Sequence, residues 1–165
     1  MENLDDLPAR ARLALAEIDL VLHVGNIGSL IFLKSLQDAF ALTFAVYGRQ
    51  DAEEVRRYLE EDKVVEFANR RIGMTFSSRG LEKNVKLPSL KRQSLKPNSL
   101  SERLLGKFDR VDCVVFGSPG NAFNHLYQGI LVFNPGKIIS EDGSKGSMGI
   151  LEITERSMTG RILSV

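Results

Sequence analysis

Few side chains in this sequence have the chemistry of a catalyst, and those few are widely spaced. The imidazoles are His23 and His125, and the one thiol is Cys113. His23 sits in the apolar run "IDLVLHV" (18–24) and could act as a base or a metal ligand, but a solitary histidine at a strand end is read first as structural. His125 opens another apolar stretch and is read as a surface residue. A Ser-His-Asp arrangement needs a carboxylate brought in by the fold, and nothing in the sequence places one. Arg49 and Asp51 in "GRQD" (48–51) form a sharper pair. A guanidinium can grip a phosphate with two parallel hydrogen bonds or neutralise nearby acids. Asp51 is expected to cap a helix opening at residue 52, with a pair to Arg49 as a second possibility. The stretch "CVVFGSPGNAF" (113–123) runs a buried strand into a glycine turn carrying Ser118, Gly120 and Asn121, where nothing titrates.

The elements that must position these residues follow from apolar spacing. Leu4, Leu7, Ala11, Ala14, Leu15 and Ile18 recur at helical intervals and predict a helix over 7–18, with Asp5 and Asp6 at its front. The nearly unbroken run 18–24 predicts a strand buried on both faces, hence a parallel sheet with helices outside. Ser29 is placed to cap a helix over 30–40, "LTFAVYG" (42–48) repeats the pattern of strand then glycine, and 52–61 makes a short helix. This β-α-β-α order is that of an α/β layer. Residues 64–76 then read as a hairpin about Asn69-Arg70. Residues 77–99 form a long polar, basic loop broken by Pro88 and Pro97. A short helix over 100–108, a strand over 111–116, a hairpin over 125–134 about Gln128-Gly129 and two strands in 149–165 complete the chain. Apolar strands thus end repeatedly near glycine, and parallel strands would gather those loops at one rim.

Composition narrows the function classes. At 165 residues with 43% hydrophobic and 26% charged side chains, the chain is expected to fold as one domain, 1–165, without disulfide support. Its formal charge of +1 gives no global attraction to nucleic acid, and the basic loop lacks the interleaved aromatics of a single-strand binder. No apolar run approaches a membrane span, the N-terminus lacks the order of a signal peptide, and the unpaired Cys113 favours a reducing compartment. No nucleic acid and no membrane are expected as partners, and the cytoplasm is the expected location. "GNIG" (25–28) and "GSKG" (143–146) are too short for a phosphate-binding fingerprint.

The order of strand-end loops, "HVGN", "VYGRQD", "MTFSSRG", "VFGSPGN" and "VFNPGK", resembles the small metallophosphoesterases of the calcineurin-like superfamily. The likeness is to the YfcE type, which includes the phosphoesterase-fold subunit of retromer. That resemblance implies an α/β fold, an αββα sandwich of mixed sheets. It also implies a rim that reads Asp-x-His, Gly-Asp, Gly-Asn, Gly-His-Gly-His, Gly-His-Thr-His and Asn-Pro-Gly-Ser and holds two divalent metals such as Mn, Ni, Fe or Zn. Such a pair needs carboxylate, amide and imidazole ligands converging on one point. Placed on the family's motifs, Asn26 replaces the bridging carboxylate and Arg49 replaces the metal-binding asparagine. Phe76 and Ser78 fall on one histidine pair, and Ser118 and Gly120 on the other. Asn134 keeps the Asn-Pro-Gly turn, while His23, Asp51 and Asn121 flank the vestigial pocket. The Asp-x-His strand has no counterpart, so the fold is expected without its usual N-terminal strand, leaving unpaired backbone or apolar surface for another chain. The expectation is a catalytically inactive protein without catalytic residues, metal ligands or cofactor, acting as an interaction scaffold for a protein partner or a second copy. Its alternatives are a residual metal-dependent phosphodiesterase or phosphatase, and a sensor of an anionic metabolite in the emptied cleft.

Overall fold

The computed structural model describes residues 4–40, 42–76, 97–139 and 145–165. In chain order a single 3-10 turn, Leu4–Asp6, leads into α1 (Ala9–Leu15), β1 (Val21–Val24), α2 (Leu30–Ala39), β2 (Thr43–Val46) and α3 (Glu53–Tyr58). There follow β3 (Asp62–Phe67), β4 (Arg70–Phe76), α4 (Pro97–Leu105), β5 (Cys113–Gly117), β6 (Phe123–Tyr127) and β7 (Ile130–Asn134). The last elements are β8 (Ser147–Ile153) and β9 (Met158–Ser164).

One sheet has the order β3-β4-β5-β7-β6, with β4, β5 and β7 parallel and β3 and β6 antiparallel at its edges. β1 and β2 pair in parallel, and β8 and β9 pair as an antiparallel hairpin. Three apolar clusters define the layers. Leu22 and Val24 of β1, Val46 of β2 and Leu151 and Ile153 of β8 meet Cys113, Val115 and Phe133 of the five-stranded sheet. On its other side β5 turns Val114 and Phe116 toward Leu100 and Leu104 of α4. Ala45 of β2 and Met148 of β8 instead pack with Leu7, Ala11, Phe32 and Leu36 of the N-terminal helices. The alternation of side chains along each strand therefore builds helix, sheet, sheet, helix, the αββα sandwich implied by the sequence. Phe133 fastens the last hairpin to the central sheet. A Cβ at Gly149 or Gly160 would stand 2.3 or 2.7 Å from its ring, so only glycine lets both strands close around it.

Local chemistry explains where elements start and turn. The Ser29 hydroxyl accepts the Phe32 amide at 3.1 Å and caps α2 as expected. The β6–β7 hairpin turns at Gln128 and Gly129, both at positive φ (50° and 80°), the two-residue turn that matches strand twist. The β3–β4 turn lies one residue earlier than expected: Ala68 and Asn69 carry φ of 49° and 58°, and Arg70 begins β4. Two further expectations are corrected. The first helix is shorter than 7–18 and starts behind Pro8 with no side-chain cap, while Asp5 pairs with Arg12 at 3.2 Å. β1 is confined to Val21–Val24 and is mostly half-buried, because among the described residues only one of its long edges has a neighbouring strand. Of the expected loop 77–99, residues 97–99 open α4 and residues 77–96, Ser78 among them, lie outside the described residues. Among the described residues no helix is long and apolar enough to cross a membrane.

Candidate functional site

The strand-end loops do converge. Gly25 leaves β1 at φ 86°, and a Cβ there would stand 2.5 Å from the Phe76 ring at the end of β4. A Cβ on Gly117 would lie 2.9 Å from the same ring and 1.8 Å from the Val24 carbonyl oxygen. The ends of β1, β4 and β5 thus meet around one aromatic side chain, with two glycines permitting the approach. Phe76 fills the middle of the rim with hydrocarbon.

Asp51 holds the first two loops together. It is 5% exposed, and its Oδ2 accepts the amides of Gly48 (2.6 Å) and Asn26 (2.9 Å) while Oδ1 accepts that of Gly28 (3.2 Å). The expected helix cap is therefore corrected. Ala52 is the N-cap of α3 and makes no side-chain bond, because the Asp51 carboxylate turns inward to three donors that would otherwise be orphaned. Nor does Asp51 pair with Arg49, whose exposed side chain lines the cavity without an ion pair among the described residues. Asn26, at φ 56°, is occupied too: its Oδ1 accepts the Gln50 amide at 3.1 Å and its Nδ2 donates to Gln50 Oε1 at 3.3 Å. Gln50 was not anticipated as a site residue, and only the proximity of the two loops reveals it.

The remaining loops are fastened by Asn134, 1% exposed at the end of β7. Its Nδ2 donates to Ser118 Oγ at 2.9 Å and to the Asn121 carbonyl at 3.5 Å, and its Oδ1 accepts the Gly136 amide at 2.9 Å. Ser118 Oγ also accepts the Gly120 amide at 3.3 Å. The turn 118–121 is thus a structural clasp. His125 lies on the edge strand β6, its ring 5.8 Å from that of Phe123, and takes no part in the rim.

His23 stands apart from this satisfied network. Its ring lies edge-on to Phe32 of α2 at 6.3 Å, and its Nδ1 is sealed and without a hydrogen-bond partner among the described residues. The residue as a whole keeps some surface, yet burial of the ring pushes its pKa down to about 4, with the Asp51 charge opposing only in part. It is a neutral imidazole at the wall of an open cavity of about 1180 Å³ that begins at the rim and runs down between β1 and β8. Among the described residues no group of three or more His, Cys, Asp or Glu side chains is arranged to hold a metal ion.

Residues 3–156 match the sequence model of the calcineurin-like phosphoesterase superfamily domain. The chain belongs to that superfamily. No curated protein sequence matches it. Among solved structures, Vps29 of Chaetomium thermophilum is similar with a TM-score of 0.71 at 20% identity, over 99% of this chain and 79% of that one. A zinc complex of Vps29 from Entamoeba histolytica is similar at 19% identity and a TM-score of 0.60, covering 96% of this chain and 89% of its own. An archaeal phosphodiesterase gives 18% identity and 0.61, over 92% and 88%. At such identities the likeness speaks for the fold alone. At its strand ends this chain carries an amide engaged by Gln50, a phenyl ring, a serine held by Asn134 and a carboxylate held by three backbone amides.

Proposed function

We propose that this chain is a binding protein on a phosphoesterase scaffold and does not hydrolyse phosphoesters. One observation carries the reading: Asp51, the one buried carboxylate among the described residues, has both oxygens engaged by backbone amides, and the Phe76 ring stands between the loop ends. Two divalent cations keep their place only if anionic oxygens and imidazole nitrogens replace their hydration shells, and this donor set does not fit them. The role that remains is recognition of a protein partner. A single buried, unpaired thiol at Cys113 accords with a reducing compartment such as the cytoplasm.

Metal analysis of the purified protein together with hydrolysis of bis-p-nitrophenyl phosphate in added Mn tests this. Sub-stoichiometric metal and no turnover above buffer are expected. Tightly held Mn, Fe, Ni or Zn near one ion per chain, with turnover lost on Asp51→Asn, would overturn it. The sensor alternative rests on Arg49, which lines the cavity and is exposed; a thermal shift with phosphate that disappears in Arg49→Ala would favour that reading instead.

A further inference from the structure

We propose that the free edge of β6 pairs with the same edge of a second copy of this chain, antiparallel across a two-fold axis through His125. The pairing goes beyond the binding reading of the rim and shares no side chain with the Asp51 and Asn134 clasps. Among the described residues β6 is the last strand of the five-stranded sheet, with β7 as its one neighbour.

The register of the β6–β7 hairpin decides which backbone groups that edge offers. Facing residues of an antiparallel pair alternate between those that exchange both hydrogen bonds and those that exchange none. Tyr127 and Ile130 close the two-residue turn and therefore exchange both, as do His125 with Val132 and Phe123 with Asn134. Leu126 faces Leu131, whose amide donates the other way, to the Asp112 carbonyl at 3.2 Å just ahead of β5. The N–H and C=O groups of Asn124 and Leu126 consequently point out of the sheet, and none of the four meets a partner among the described residues. They lie symmetrically about His125. Of the antiparallel registers within Phe123–Tyr127, only the one centred on His125 engages all four: Asn124 exchanges two bonds with Leu126 of the second copy, and Leu126 two with Asn124 of the second copy. A parallel arrangement would repeat without closing, whereas this one closes as a dimer.

The side chains suit the same register. Phe123, His125 and Tyr127 alternate onto the face covered by α4, where the Phe123 ring meets that of Phe116 at 6.1 Å and the Tyr127 hydroxyl donates to Glu102 at 2.8 Å. Phe123 then stands opposite Tyr127 of the second copy, an aromatic cross-strand pair on each side of the axis. On the other face Leu126 is 65% exposed, and the pairing brings it diagonally against its own copy. Asn124 keeps its Nδ2 bond to the Gly160 carbonyl, at 2.6 Å, since only its backbone is used. The opposite edge of the sheet is guarded: β3 carries Asp62, Lys63 and Glu66, ion-paired with Lys107, Glu60 and Arg71, and charge along an edge deters pairing. β6 has no Asp, Glu, Lys, Arg or Pro over Phe123–Tyr127, and its register with β7 is unbroken by a bulge. An unguarded edge that complements itself fits a copy of itself, while a seam of five residues limits the dimer to weak, micromolar association.

The residue on the axis faces its own copy, which gives the test its form. His125→Lys and His125→Glu, made in the whole protein, each set like charges opposite one another, and mixing the two variants sets opposite charges there. Sedimentation velocity from low to high micromolar concentration is expected to give a parent dimer, a dissociation constant raised about fivefold or more in either variant alone, and recovery in the equimolar mixture. Amide exchange of the parent should slow at Asn124 and Leu126 by roughly tenfold as the dimer fills, with His125 and Tyr127 unchanged because β7 already holds their amides. A parent that stays monomeric would overturn the proposal and leave the edge to a chain of another kind. Single variants that dimerise as well as the parent, or a mixture no tighter than its components, would overturn it too. So would slow exchange at Asn124 and Leu126 in the monomer, the mark of an edge already covered by a segment of the same chain. None of these outcomes bears on metal or turnover at the rim, which are measured separately.

Discussion

The rim and the cavity between β1 and β8 lie next to each other and differ in one physical respect. At the rim, the buried polar groups Asp51, Ser118 and Asn134 are engaged within the chain. Along that cavity, among the described residues, β1 is paired by β2 alone and β8 by β9 alone except where the Ser147 amide donates to the Lys137 carbonyl, and His23 Nδ1 has no partner. A buried donor or acceptor left unpaired costs about 1–3 kcal/mol, so a satisfied region is at a local optimum and an unsatisfied one gains by binding. The polar groups of the rim are closed on one another, whereas the unpartnered imidazole nitrogen lies at the wall of the neighbouring cavity.

The largest effect that would break this contrast is at Asp51. Asp51→Ala removes the acceptor of three amides at once, and a loss of about 4 kcal/mol in unfolding free energy is expected, less than the sum of three orphaned donors because water reaches part of the loop. Asp51→Asn should lose less, since the amide oxygen still accepts. If Asp51→Ala unfolds at the same urea midpoint as the parent, the rim is not a structural clasp and its carboxylate is available for chemistry. Next in size is Gly117→Ala. Its Cβ would meet the Val24 carbonyl at 1.8 Å, a backbone clash that separates β5 from β1, and about 3 kcal/mol is the expected cost by the same measurement.

These positions show what the sequence made legible. Strand-end glycines at Gly25, Gly48 and Gly117 marked the rim, because close backbone approach demands glycine and leaves a trace in one residue type. Ser29 was legible for a similar reason, its cap bond being local. Asp51 was misjudged because its partners lie both three and more than twenty residues away, and the local helix-cap rule took precedence over a loop contact that only the fold creates. That β1 and β8 border one cavity was not legible in the sequence. Which edges would be left facing each other depends on the placement of β8, whose pattern of half-buried residues carries no clear period. Ser78 lies outside the described residues, so the third loop is legible in the sequence alone.

His23 connects the two regions and gives a pH signature. Its folded-state pKa of about 4 lies below the ordinary 6.5, so the unfolded chain binds a proton before the folded one does. Stability is fully present above the unfolded value and is lost as pH falls from there toward the folded value. Each unit is worth ~1.4 kcal/mol, and with part of the residue still exposed the expected loss across that window is about 2 kcal/mol. His23→Phe keeps the edge-on contact with Phe32 and removes both the proton site and the orphaned nitrogen. Denaturant titrations at neutral and mildly acidic pH should show a flatter profile for the variant, with equal or higher stability at the acidic end. Parallel profiles would mean that His23 is hydrated, and that the cavity is wetter than its walls imply.

The smallest expected effect is at Arg49, the substitution that the sequence made most conspicuous. Its side chain is exposed and makes no ion pair among the described residues, while its carbonyl accepts from the Arg56 guanidinium. Truncation at an exposed site without partners changes stability by less than about 0.5 kcal/mol. Arg49→Ala should therefore leave the thermal midpoint unchanged and still fold with the Asp51 clasp intact. A midpoint that falls as far as that of Gly117→Ala would place the guanidinium inside the rim's own bonding network. The contrast between a closed rim and an open cavity would then have to be redrawn around that charge.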